Sequence, residues 1–110
     1  MKKEELQWDF IEKAKAVLMN WSHTNNIHLF AVHFVPLPDF SLEVYVFYER
    51  DIDITQNQQN GVSDRIKQVF LKTLYDLNYM KIFNNNVTFT FDSNENVINN
   101  YQGSYFFRLR

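Results

Sequence analysis

Cysteine is missing from this chain altogether. Without a thiol there is no disulfide framework, no thiolate metal site and no cysteine nucleophile, and the composition fits a reducing compartment. Glycine is almost as scarce, with Gly61 and Gly103 standing alone. A loop that cradles phosphates needs clustered glycines for close backbone approach, so no such loop can be built. The longest uninterrupted apolar run extends only from Val44 to Tyr48, far short of a membrane span. The start, Met-Lys-Lys-Glu-Glu-Leu, brings in acids where a secretion signal would have an apolar run, and a cytoplasmic protein is expected. No excess of basic residues is present either. The net charge is −2, which argues against direct nucleic-acid binding, because phosphate contacts need clustered Lys and Arg.

What the chain does hold is apolar and aromatic mass, 45% and 17% of its 110 residues. That suffices for the core of one domain, expected to span residues 1–110. The charge is unevenly spread. Between Asp39 and Asp64 the acids Asp39, Glu43, Glu49, Asp51, Asp53 and Asp64 face one base, Arg50, while the remainder leans basic. The middle of the chain is an acidic island.

Hydrophobic spacing orders the elements. Phe10, Ala14, Val17 and Trp21, widened by Ile11 and Leu18, predict a helix over residues 3–22. His23 to Asn26 then reads as a terminator. Residues 27–35 read as a strand covered on both sides, ended by Pro36-Leu37-Pro38-Asp39. Residues 42–51 form a second strand, with Leu42, Val44, Val46 and Tyr48 on one face and Glu43, Tyr45, Phe47 and Glu49 on the other. The stretch 51–61 is polar and reads as a loop after Ile54. Ser63 is a good N-cap for a second helix from Asp64 to about Lys81, whose buried stripe is Ile66, Val69, Phe70, Leu74, Leu77 and Met80. Strands follow at 87–91, 97–101 and 105–110, separated by turns at 92–96 and 102–104. The expected fold is therefore α+β in the order α-β-β-α-β-β-β. It is a two-layer sandwich with an antiparallel sheet of about five strands, two helices on one face and the other face open.

Chemistry finds little support. His28 and His33 fall five positions apart on the expected strand and point to opposite faces, so they cannot share a metal, and His23 lies in a loop. Asp51 and Asp53 project together if the second strand continues, but a solvated strand end explains them better than a metal or acid–base pair. Ser22-His23 is adjacency without a third group, and no Ser, Thr or Lys sits in a nucleophile motif. No cofactor, no metal and no enzymatic activity are expected. A deep polar cavity containing His33 or Asp51 would reverse that expectation.

Binding is the better-supported reading. With Leu42, Val44 and Val46 turned toward the helices, the open face would show Tyr45, Phe47 and Phe106 among Glu43, Glu49 and Arg108. Aromatic residues and Arg are enriched at interface centres. The alternative is that these aromatics only stabilise the sheet. The acids Glu43, Glu49, Asp51 and Asp53 would speed encounter with a basic surface, such as that of a nuclease. The expected partner-binding set is thus Glu43, Tyr45, Phe47, Glu49, Asp51, Asp53, Phe106 and Arg108.

A helix, a strand pair ending in SLEVYVFYERDID, a second helix, then VTFTFDSNENVINNYQ and an aromatic terminus resemble the small immunity proteins of bacterial toxin–immunity systems, including those of contact-dependent growth inhibition. The resemblance covers most of the chain and rests on size, element order, aromatic strands and acidity, with no diagnostic motif. It implies a cytoplasmic, non-enzymatic inhibitor of one cognate protein toxin. A monomer is the favoured oligomeric state, which the sequence leaves open. Secretion chaperones, small acidic α+β dimers that bind an effector, are the alternative, and the chain departs from them in lacking a clear C-terminal helix. A small-ligand-binding domain with a cavity between helices and sheet is a third.

Overall fold

The computed structural model describes residues 2–77 and 79–110; Met1 and Asn78, the latter inside the expected second helix, lie outside the described residues. Helix α1 (Lys3–Thr24) opens with Glu4 and Glu5 in its first turn, where carboxylates suit the helix dipole. It buries Phe10, Ile11, Ala14 and Leu18, while Val17, expected on the same stripe, is exposed. The buried stripe therefore runs along the Ile11–Ala14–Leu18 line. Gln7 is also buried, and its amide donates to the Phe40 and Ile82 carbonyls at 3.0 and 3.1 Å, which ties the helix start to two loops.

Among the described residues the sheet has three strands, in the order β1-β2-β3. Strand β1 (Ala31–Pro36) pairs antiparallel with β2 (Leu42–Tyr48), with His33 opposite Tyr45. Strand β3 (Val87–Ser93) lies parallel to β2 on its other side, with Thr90 opposite Tyr45 and Asp92 opposite Phe47. Between β2 and β3 run helices α2 (Asp51–Gln59) and α3 (Val62–Asp76) and a 3₁₀ turn (Met80–Phe83). The chain ends in α4 (Asn94–Asn100) and the one-turn α5 (Tyr105–Arg108). Leu42, Val44, Val46 and Tyr48 turn inward, as their alternation demanded, onto Ile11, Ala14 and Leu18 of α1 and Ile66, Phe70 and Leu74 of α3.

This corrects the expected five-stranded antiparallel sheet with two helices. Among the described residues the architecture is α+β with five helices and a mixed three-stranded sheet. Parallel pairing of β2 with β3 is possible because the connection is long and helical, which a hairpin is not. Residues 51–59, expected to be polar and loop-like after Ile54, form α2 without burying a residue. Their helix is set locally: the Arg50 amide donates to Asp53 Oδ2 at 3.0 Å, and Asp51 and Asp53 both occupy the first turn. Residues 97–101 are not a strand because Ser93 Oγ accepts from the Asn96 amide at 3.0 Å and starts α4, which buries Val97 alone. Ser104 caps α5 in the same way, accepting from the Phe107 amide at 3.2 Å, so residues 105–108 are a helical turn and not a last strand. The first strand starts at Ala31, leaving His28 in the preceding loop, and the second helix stops at Asp76.

Ser63 is not the cap of α3. That position falls to Gly61, with φ of 84°, and Ser63 is buried one residue inside the helix, its hydroxyl 2.7 Å from that of Tyr48. No helix of the described residues is long and apolar enough to cross a membrane.

Candidate functional site

The carboxyl ends of the parallel strands β2 and β3 gather the acidic residues. Glu49 follows β2 directly, and its carbonyl accepts from the Glu95 amide at 3.0 Å. The Glu95 carboxylate in turn accepts from the Asp51 amide at 2.9 Å. Asp51 Oδ1 accepts from the Ser93 hydroxyl at 2.5 Å. Asp53 is paired with Arg50 at 3.5 Å across the first turn of α2. Glu49, Asp51, Asp53 and Glu95 thus stand at one end of the sheet, where the chain leaves β2 for α2 and β3 for α4. Glu49 and Glu95, with Asn94, Ile98 and Asn99, line a shallow hollow there. Ile52 and Ile98 are half exposed beside these carboxylates, at 50% and 57%.

The other members of the expected binding set sit elsewhere. Phe47 is fully buried, because the last residues fold back over the outer face of the sheet that was expected to be open. Tyr105 lies edge-on against it, ring centroids 4.8 Å apart. The Tyr45 hydroxyl donates to Glu43 at 2.8 Å, and this bond to a carboxylate raises the tyrosine above its usual range. Arg108 Nε donates to Asp92 Oδ2 at 2.5 Å, in a largely buried ion pair. Phe106 points outward, 68% exposed. The structure therefore brings together Glu49, Asp51 and Asp53. It places Tyr45, Phe47 and Arg108 under or within the C-terminal cover, leaves Glu43 beside Tyr45 on the same sheet face, and leaves Phe106 on that cover's outside.

Sequence reasoning missed Glu95, Ile98 and Asp92. The spacing predicts a turn at Asp92 to Asn96, although Ser93 as a cap residue followed by an acid, Glu95, in the first helical turn is a legible start signal for a helix. His33 lies under Tyr105, ring centroids 5.0 Å apart, and is held below its usual value by burial, with a smaller contribution from the charge of Lys15. A depression of about 730 Å³ beside the acidic end contains neither His33 nor Asp51. It is open and lined by His28, Glu49, Arg50, Asp53 and Arg65 together with four asparagines, Asn25, Asn26, Asn57 and Asn60. Among the described residues no three His, Asp or Glu side chains converge as metal ligands would.

Compared with protein-family models, with curated proteins and with solved structures, the chain matches none.

Proposed function

We propose that this chain works by binding another protein and not by catalysis, as a cytoplasmic immunity protein that neutralises a basic, nuclease-type toxin. The observation that carries the reading is the gathering of Glu49, Asp51, Asp53 and Glu95 at the carboxyl ends of β2 and β3, with Ile52 and Ile98 exposed among them. Carboxylates around apolar contacts complement a phosphate-binding groove, which is basic and has a desolvated floor. The size and acidity that the chain shares with toxin–immunity proteins support the same partner class, whereas the expected element order does not, since residues 94–100 and 105–108 are helical.

The test uses conservative neutralisation. Asp51 and Asp53 also organise the start of α2, so Asp51→Asn and Asp53→Asn keep an acceptor oxygen in place, and Glu49→Gln removes the third charge. The tagged chain is used to isolate its partner from the source organism. A single basic protein whose toxicity is suppressed by co-expression of the chain is the expected result. The triple variant should then associate at least roughly tenfold more slowly at low salt, with the difference shrinking as salt is added. An unchanged rate removes the acidic end from the interface. Recovery of the chain only with itself overturns the toxin reading.

A second reading is an acidic dimer of the secretion-chaperone kind. It is favoured by the helical end of the chain, α4 and α5, where the sequence alone implied strands. A dimer in solution that captures an effector and shows no protection against toxicity would establish it.

A further inference from the structure

The outer face of the sheet receives the chain's own terminus through two side chains of α5. Tyr105 stands over Phe47 and His33 and stacks on Phe30, ring centroids 6.5 Å apart. Its hydroxyl donates to Asn94 Oδ1 at 2.8 Å. Arg108 reaches Asp92, and its guanidinium lies 5.6 Å from the ring centroids of both Tyr45 and Tyr101. Tyr105 and Arg108 are three positions apart, so one helical turn carries both on the same side.

The receiving site is built into the strands. Phe47 and Asp92 are register partners on β2 and β3, and His33 and Tyr45 are partners on β1 and β2. An aromatic slot therefore lies beside a carboxylate on the neighbouring strand. The Asp92 side chain is only 9% exposed. The Ser93 amide at 2.8 Å and the Asn96 amide group at 3.0 and 3.1 Å donate to it. The charge itself still calls for a cation, since a carboxylate taken from water without one is costly.

The segment that fills the site is held lightly by comparison. Helix α5 has four residues, none buried, and so short a helix has no stability of its own. Phe106 and Phe107 face outward. The joint is Gln102-Gly103, with φ of 55° and 74°, a conformation natural for the glycine and strained for the glutamine.

We infer that this face is a recognition site for a short segment bearing an aromatic side chain and, three residues on, an arginine, and that residues 105–108 occupy it in the free chain as an intramolecular stand-in. Its occupant in a complex is a cationic, aromatic-bearing segment of a partner protein. That segment displaces Tyr105 and Arg108 and satisfies Asp92 in their place. The inference stands on the outer face alone and does not require the partner to be a toxin or the acidic end to be an interface.

A fluorescent peptide of the sequence SYFFRLR, residues 104–110, serves as the probe. It is titrated into the full-length chain and into full-length Tyr105→Ala/Arg108→Ala. A tethered segment competes at an effective concentration in the millimolar range, so the variant should bind the peptide at least about tenfold more tightly than the unaltered chain. Adding Asp92→Asn to the variant should abolish the gain, whereas Glu49→Gln should leave it intact, which separates this site from the acidic end. A variant that keeps its circular dichroism and binds no better overturns the inference. Should the variant not fold, hydrogen exchange on the unaltered chain decides. The amides of Phe107, Arg108 and Leu109 should open well before those of Val44 and Val46, and equal protection would show that the segment does not part from the sheet.

Discussion

Arg108 and Asp92 show how much one pair can do. Neither is a core residue by type, yet Asp92 is buried and Arg108 largely covered, and together they join the terminus to β3. Arg108→Ala leaves the Asp92 carboxylate with donors and no counter-charge, and should lower stability by about 2 kcal/mol. Urea denaturation checks this, and Asp92→Asn in the same background should recover part of the loss. His33 has the opposite problem. Its cover of aromatic rings disfavours the charged imidazole, so its folded value lies below the usual 6.5. As pH falls, the unfolded chain takes up that proton first. The stability His33 contributes is therefore complete above about pH 6.5 and is lost as pH falls toward its lower folded value. Denaturation midpoints compared at about pH 7.5 and 5.5 should show this loss, and His33→Phe should remove its share of it. A slope that survives the substitution unchanged would assign it to other groups.

Among the elements, the short helices depend on their starts more than on their faces. Ser93 is fully buried, caps α4 by accepting from the Asn96 amide and donates to Asp51 at the head of α2. Ser93→Ala should cost about 1–2 kcal/mol and loosen both helices, visible as faster amide exchange in residues 51–54 and 94–97. Gly61 caps α3 with φ of 84° and has open space where a Cβ would stand. Gly61→Ala should therefore cost only the left-handed strain, about 1 kcal/mol, and a larger loss in thermal denaturation would mean that the loop before α3 must rearrange. The long helices were legible because their apolar residues recur with helical spacing over several turns, as Ile11, Ala14 and Leu18 do, and Ile66, Phe70 and Leu74. Helices α2, α4 and α5 were not, because they bury almost nothing and carry no stripe to read.

For the molecule as a whole, the two faces of the sheet have different fates. The inner face meets α1 and α3 in a continuous apolar core. The outer face is closed in part by the terminus, leaving Thr88 and Thr90 exposed on β3. Glu49, Asp51, Asp53 and Glu95 end up at the carboxyl ends of the parallel strands instead of on the open face, so a basic partner of that patch would meet the molecule end-on. That arrangement predicts association whose rate falls with ionic strength while the thermal stability of the free chain changes little, since these exposed charges are screened in water.

The sequence by itself determined the α+β class, the two main helices, the hairpin of β1 and β2, and which side of β2 faces the core. Each follows from local periodicity or from a proline break, and neither depends on distant residues. It also determined the acidity of residues 39–64. Tertiary structure alone decided that β3 runs parallel to β2, because strand direction depends on how a long helical connection returns. It decided that Phe47 is buried and Asp92 paired, because both depend on a terminal segment more than ten residues away in the chain folding back across the sheet. Glu49, Asp51 and Glu95 meet for the same reason: two chain segments, 49–51 and 93–95, leave adjacent strands at the same end, a juxtaposition that no local pattern encodes.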